Sequence, residues 1–420
     1  MNKKSFVAGI FTGVIISAFL SVVFVFGRII YDKQAQEKQT KEIVNNVGES
    51  VQVAESQGVM SVLADEDLIN KIIMLETIID TYYIEDIDDE VLKEGICDGI
   101  MASIGDNYAC YYTPEELLEL TADTEGVYYG IGAVLQLDQT YNYPRITSII
   151  RNSPSESSEL RVDDYIVAVD GVDVFGMELS ETVKLIKGPE GTTVTLDIVR
   201  KATEEQFTVE LVRAKVETPT VNYEKLDDGL AYIQITEFDE VTVSQFEEAL
   251  AQGQADGMEG LIIDLRGNPG GALDAVVDIA GMIVPDGIIV YTEDKYGNRK
   301  DYTSNDGKQL NIPIVVLVNG GSASASEIMA GAIKDYEMGY LLGTTTFGKG
   351  IVQRVIGLED GSAVKLTVSH YYTPNGNDIH GVGIEPDEVL EFDVDSYLED
   401  INNDNQKDRA VEILLEMIGN

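Results

Sequence analysis

The sequence predicts a multidomain α/β (α+β) protein behind an N-terminal membrane helix. Three observations predict it: an uncharged apolar run near the start, a middle stretch of short strands, and a long alternation of buried strands and helices after it. The expected organisation is an anchor at 1–30, a linker at 31–64 and a helical domain at 65–122, then a β-rich module at 123–212, an α/β core at 213–395 and a C-terminal helix at 396–420. Of the 420 residues, 44% are hydrophobic and 25% charged, a composition of folded domains rather than of a disordered chain.

The anchor comes first. Ser5 to Gly27 is 23 residues without a charge. At about 1.5 Å per residue a helix of that length crosses a hydrocarbon layer of about 30 Å. The run ends in FVFGRII, which lacks the small-x-small pattern of a cleavage site, so the segment is expected to stay on the chain. Lys3 and Lys4 precede it and Arg28 and Lys33 follow, so flanking charge does not set its orientation. Residues 31–64 are polar and without strong period, a stalk.

From Asp65, apolar residues at 68, 72, 75, 79 and 82–83 trace one helical stripe. DDEVLKEGICDGIMASIG predicts a second helix and YTPEELLEL a third, with Thr113 as N-cap, Pro114 at the first helical position and Glu116 closing a capping box. The β-rich module follows as GIGAVLQL, YPRITSII, YIVAVDG, TVTLDIVR and QFTVELVR around one helix, LSETVKLIKG. In the core, GLAYIQITEF, LIIDLRG and IPIVVLVN read as strands. VSQFEEALAQG, ALDAVVDIAGMIV and SEIMAGAIKDY read as helices, and an amphipathic helix near 406–418 closes the chain.

Charge narrows the partners. With 74 acidic against 29 basic residues the net charge is -45, and no basic stripe offsets it, which argues against nucleic acid. Cys97 and Cys110 are the two cysteines; they form no framework and no metal cluster, and a bond between them stays open. Only His370 and His380 supply imidazole.

The strongest chemical signal is VLVNGGSASASEIMAGAI, a strand that turns through Asn-Gly-Gly and small residues into a helix. A serine there sits at the positive end of the helix dipole beside unpaired amides, which suit an oxyanion. Ser322, Ser324 and Ser326 would serve equally as helix caps in a tight turn. A nucleophilic serine needs a base, and neither histidine lies in a recognisable catalytic context. TTTFGKGIVQR offers Lys349 between Gly348 and Gly350 instead, in an otherwise uncharged stretch, the setting of a Ser-Lys pair. Gln353 lies four residues on, and its reaching the lysine requires the segment to curl. In DLRGNPGGALD, Gly270 is a candidate second oxyanion donor, though an ordinary connection reads as well. Tyr129-Gly130-Ile131-Gly132, before AVLQL, can present amides to a terminal carboxylate, or form a simple turn.

Together these segments resemble the carboxyl-terminal processing peptidases, or tail-specific proteases. The motifs occur in the family's order across about residues 66–395: GICDGIMASIGDNYACYYTPEE, YYGIGAVL, RVDDYIVAVDGVDV, LIIDLRGNPGG, NGGSASASE, TTFGKGIVQ and YYTPNGNDIHGVGIEPD. The resemblance implies a PDZ domain for the β-rich module and a protease core related in fold to crotonase and Clp-type proteases. It places the nucleophile on Ser324, the base 25 residues on at Lys349 and the supporting glutamine at Gln353. Oxyanion amides fall on Ala325 and Gly270, peptide binding on Tyr129, Gly130, Ile131 and Gly132, and Glu327 joins the site behind them.

It further implies a single-pass protein of the cell membrane with its catalytic part extracytoplasmic, a homodimer, and substrates that are proteins or peptides with free C-termini. No metal or cofactor is implied. One departure stands out: Val162-Asp163-Asp164 replaces the family's usual Pro-Gly-Asp. Two rival readings are a membrane-tethered PDZ scaffold without turnover and an acyl-CoA enzyme of the crotonase fold.

Overall fold

The computed structural model describes residues 65–305 and 307–419. The apolar run Ser5–Gly27 and the stalk lie outside the described residues, among which no helix is long and apolar enough to cross a membrane. The chain packs into two units. One comprises the described residues up to Leu117 together with Gln353–Thr367, the other Leu118–Val352 with Val368 onward.

In the first unit, helix α1 (Glu66–Tyr82) is capped by Asp65, whose carboxylate accepts from the Asp67 N–H, and α2 (Asp89–Ala102) likewise by Asp88. None of the residues of α1 is buried. Strand β1 (Cys110–Tyr112) pairs antiparallel with Ala363–Lys365. Both cysteines are free thiols, and burial raises the pKa of Cys97. Helix α3 (Pro114–Glu125) begins with the expected capping box: the Glu116 carboxylate accepts from the Thr113 N–H at 2.9 Å, and the Thr113 hydroxyl accepts from the Glu116 N–H at 3.3 Å.

The second unit opens with β2 (Val127–Gly130). The predicted continuous strand from Gly130 is interrupted at Ile131–Gly132, because Gly132 adopts φ 78° to turn the chain into β3 (Ala133–Asp138). With β4 (Tyr143–Ile149), β5 (Asp164–Val169), β6 (Val172–Asp173), β7 (Thr193–Arg200) and β8 (Glu205–Val212), β3 forms an antiparallel sheet in the order β3-β4-β5-β7-β8. Helix α4 (Leu179–Ile186) packs beside β3 and β5. One core of Ile146, Ile166, Val194, Leu196 and their neighbours fills the module. The Val-Asp-Asp departure has a visible consequence: Asp163 takes φ 70°, the left-handed conformation that glycine adopts without strain.

After β9 (Ala214–Glu217), which pairs antiparallel with β2, comes the α/β core. Its strands are β10 (Val221–Lys225), β11 (Leu230–Ile235), β12 (Gly260–Asp264), β15 (Ile314–Val318), β16 (Tyr340–Gly343) and β19 (Glu388–Val389) in that spatial order, parallel except for β10. Helices α5 (Glu240–Ala255), α6 (Leu273–Gly281) and α7 (Ala325–Asp335) cover one face with Ala231, Ile233, Leu261, Ile263 and Val316. The alternate residues Leu230, Ile262, Val315 and Leu317 face the last helix, α9 (Asn405–Gly419), on the other side. The central strands β12 and β15 are buried along their whole length, which is why they read as apolar runs.

A hairpin of β13 (Gly287–Asp294) and β14 (Arg299–Ser304) lay outside the sequence reading. It pairs with the Ser369–Tyr372 end of β18 (Ala363–Tyr372). Strand β17 (Ile351–Gly357) precedes β18, and the short helix α8 (Val394–Glu399) precedes α9.

A buried ion cluster fixes α9. Arg266, at the end of β12, donates to the Asp264 carboxylate, to both oxygens of Asp404 (3.0 and 2.7 Å) and to Gln406 Oε1 at 2.9 Å. Asp404 also accepts from the Lys407 N–H, so one carboxylate caps the helix and holds the arginine.

Candidate active site

The turn Asn319–Ser324 after β15 is stitched to the loop 265–270 after β12. Asn319 Oδ1 accepts from the N–H groups of Gly267 and Gly321, both at 2.9 Å. Ser322 Oγ donates to Leu265 O, Ala323 N–H to Asn268 O and Ser326 Oγ to Asn268 O. Ser322 and Ser326 are therefore structural. The middle serine differs.

Ser324 stands at the N-cap of α7 with φ 53° and ψ -112°. A non-glycine residue there carries strain of roughly 1–3 kcal/mol, which the surrounding bonds must hold. Ala325, the first residue of α7, presents the next backbone amide. Gly270 (φ 106°) lies against this corner: a Cβ on it would fall 2.8 Å from Ser324 Cβ and 2.9 Å from Ala325 N, so glycine is required for the approach. The structure thus brings Ser324, Ala325 and Gly270 together. The Gly270 N–H donates to Asn268 Oδ1 at 2.8 Å in this state.

Glu327 organises the centre. Its carboxylate is fully buried at 0% exposure, yet it accepts four hydrogen bonds. Oε1 accepts from Thr346 Oγ1 (2.6 Å) and the Gly348 N–H (2.7 Å). Oε2 accepts from the N–H groups of Ser324 (2.9 Å) and Lys349 (2.8 Å). A buried carboxylate persists only with such satisfaction. One side chain therefore ties the backbones of Ser324 and Lys349 to the same two oxygens.

Tyr371 makes a second tie: its hydroxyl donates to Ser324 O at 3.1 Å and its N–H to Gly350 O at 3.1 Å. Burial, and after it the charge of Glu327, raises its pKa well above the usual tyrosine value, so it stays a neutral donor. Sequence reasoning did not single out Tyr371, Thr346 or Asn268; the first lies in the motif YYTPNG and the last in GNPGG, both of which were noted for other residues.

Lys349 is half-buried in the loop before β17. Gln353 lies within β17, where the chain runs extended from Ile351, and its Nε2 is buried with no hydrogen-bond partner among the described residues. The chain from Ile351 to Gln353 is therefore extended rather than curled. His370 and His380 pack edge to face, ring centroids 5.5 Å apart, on the exposed surface.

In the β-rich module, Gly130 ends β2 opposite Ala214, and the carbonyls of Tyr129, Ile131 and Gly132 are engaged within the module. Tyr129 O accepts from Gly188 N–H, Ile131 O from Ser155 N–H and Gly132 O from Ile150 N–H. The Gly132 N–H donates to the Tyr128 hydroxyl. Beside this loop β3 is a sheet edge flanked by α4, an open strand for another chain to pair with.

Comparison with known proteins identifies the family of the chain. Residues 229–390 match the model of peptidase family S41, and residues 145–200 match a PDZ domain. The chain is 36% identical over 304 residues to a carboxyl-terminal-processing protease of Synechocystis sp., covering 71% of each protein. It is 34% identical over 319 residues to the carboxy-terminal-processing protease of Bartonella bacilliformis, covering 74% of this chain and 72% of that one. Among solved structures, the photosystem II D1 C-terminal processing protease is 31% identical with a TM-score of 0.45, over 75% of this chain and 85% of that chain. The chain belongs to the carboxyl-terminal processing peptidases, serine-type enzymes of peptidase family S41.

Proposed function

We propose that this peptidase cleaves protein substrates near their free C-terminal tails, with Ser324 as nucleophile, Lys349 as its general base and Gln353 supporting the lysine. The observation that carries the reading is the Glu327 carboxylate, which holds the strained Ser324 and the backbone of Lys349 through one buried group. Lys349 Nζ takes the Ser324 proton as Oγ attacks the scissile carbonyl. The developing oxyanion is met by the N–H of Ala325 and, once released from Asn268, by that of Gly270. The protonated lysine then gives its proton to the leaving amine, and water resolves the acyl-enzyme. No metal or cofactor takes part in these steps.

The PDZ module captures the tail by strand addition at the β3 edge, with the Tyr129–Gly132 loop beside the terminal carboxylate. Domain limits of 123–212 for this module and 213–395 for the core follow from the sequence. The apolar Ser5–Gly27 segment anchors the enzyme to the cell membrane in a single pass, with the catalytic part extracytoplasmic. Helix α1 supports a homodimer, because Ile73, Met74, Leu75 and Tyr82 stand exposed on it.

The test compares wild type, Ser324→Ala, Lys349→Ala and a His370→Ala/His380→Ala double variant on peptides with apolar C-termini. Cleavage is expected in wild type and the histidine variant and lost in the other two. Equal inertness of wild type and Ser324→Ala over a range of tails would leave a binding scaffold instead, and loss of activity in a folded histidine variant would remove the Ser-Lys assignment.

A further inference from the structure

The two thiols of the chain lie in the first unit, in opposite chemical surroundings. Cys110 opens β1 and stands directly opposite Lys365 of β18 in the antiparallel ladder, and Tyr112 stands opposite Ala363. Side chains alternate between the faces of a strand, and cross-strand partners share a face. Cys110, Tyr112 and Lys365 therefore project together, and their heads meet. The Lys365 ammonium donates to the Tyr112 hydroxyl at 2.6 Å and lies 5.2 Å from the centroid of its ring. The Cys110 thiol is hydrogen-bonded to both of these groups. All three residues are half-buried, so packing holds the cluster while small solutes can still reach it.

Cys97 is placed otherwise. It belongs to α2 and lies near Glu94 and Tyr111, and the Tyr111 side chain points to the face of β1 away from Cys110. Burial, and after it the charges of Glu94, Asp360 and Asp98, raises its pKa. The alternation of β1 thus sets the two thiols on different faces, one beside carboxylates and one beside an amine. A thiol beside a primary amine has a reaction open to it after oxidation. A hydroperoxide converts the sulfur to a sulfenic acid, and sulfenic acids condense with nitrogen to sulfenamides. At Cys110 the nitrogen within reach is Lys365 Nζ.

We propose that Cys110 and Lys365 form an oxidation-dependent cross-link, a sulfenamide that staples β1 to β18 when a hydroperoxide is present and that thiols release. In the first step the sulfur takes one oxygen from hydrogen peroxide, giving the sulfenic acid and one water. In the second, Nζ attacks that sulfur, the S–O bond breaks, water leaves, and the ammonium's extra proton passes to solvent. One thiol, one ammonium and one peroxide become a sulfenamide, two waters and a proton; sulfur loses two electrons and the peroxide gains them. Two thiol equivalents reverse the link, restoring thiol and amine and leaving a disulfide between themselves. Because β1 is only three residues long, one covalent bond across it fixes the whole strand. The inference stands apart from the peptidase chemistry and uses none of its residues.

The experiment uses the full chain in detergent, reduced, treated with hydrogen peroxide, digested and mapped by mass spectrometry. Wild type and Cys97→Ser are expected to give two peptides joined through Cys110 and Lys365, lighter by one pair of hydrogens than the two peptides apart. Dithiothreitol should separate them. Lys365→Arg, which keeps the positive charge, and Cys110→Ser should lose the joined peptides entirely. Oxidised wild type should unfold at a higher temperature than its reduced form, a difference that Cys110→Ser lacks. If Lys365→Arg does not fold, shown by loss of cooperative unfolding, Lys365→Gln takes its place, and the wild-type map decides by itself. Recovery of Cys110 as sulfinic or sulfonic acid, as a dimedone-trapped sulfenic acid beside unmodified Lys365, or in a disulfide with Cys97 overturns the cross-link.

Discussion

At the scale of single residues, the arrangement depends on Glu327 as a carboxylate. Each of its oxygens accepts two hydrogen bonds, and glutamine offers only one acceptor oxygen. Glu327→Gln therefore turns an amide donor toward two other donors and forfeits two charge-assisted bonds of about 1.5–3 kcal/mol each. Activity should fall at least about 100-fold and the thermal unfolding temperature should drop; steady-state kinetics with calorimetry checks both, and near-wild-type turnover would remove Glu327 from the site's support. Asp163 offers a change of opposite sign. Its φ of 70° and its exposed ion pair with Arg145 make Asp163→Gly neutral to stabilising by up to about 1 kcal/mol, measurable by urea unfolding, and clear destabilisation would show that the ion pair outweighs the strain. Glu327 and Asp163 were both visible in the sequence as motif positions. What each does was not, because a buried hydrogen-bond set and a positive φ are properties of the folded backbone.

At the scale of elements, the sequence read best where burial is complete. β12 and β15 are apolar runs, and Thr113–Glu116 marked a helix start that the structure keeps. The β13–β14 hairpin escaped because β14, RKDYTS, is exposed along most of its length and lacks an apolar alternation. The partner of α9 was equally hidden: an amphipathic stripe says that a helix docks, not where. Its clamp on Arg266 yields a pH prediction. Burial would raise the pKa of Asp404, but its bonds from Arg266 and the Lys407 and Gln406 amides outweigh this and hold it below the usual carboxylate range. A depressed folded pKa means stability that is fully present above the unfolded value, near 4, and lost as the pH falls through the lower folded value. Thermal unfolding of Asp404→Asn should therefore lie below wild type at pH 7, by about 2 kcal/mol, with the gap narrowing below about pH 4. A gap independent of pH would show that the carboxylate charge does not hold α9.

For the molecule as a whole, the net charge of -45 sets a field that no single site reveals. Exposed charges interact over about 10 Å at 0.1 M salt and farther in more dilute buffer, so encounter with a charged substrate tail should follow ionic strength. Tails carrying Lys or Arg are drawn toward the enzyme, and tails carrying Asp or Glu are repelled. For matched peptides with the same residues at the cut, kcat/KM of the basic tail should exceed that of the acidic one by about 10-fold or more at 20 mM salt. The two should converge by 500 mM as screening shortens the field. The change should sit in KM and association rate, with kcat nearly constant, since the steps proposed for Ser324 and Lys349 depend on local bonds rather than the distant field. Stopped-flow association of the two peptides with Ser324→Ala enzyme separates encounter from chemistry. If both associate at equal rates that do not vary with salt, the acidic surface serves solubility alone, and selection rests on local contacts.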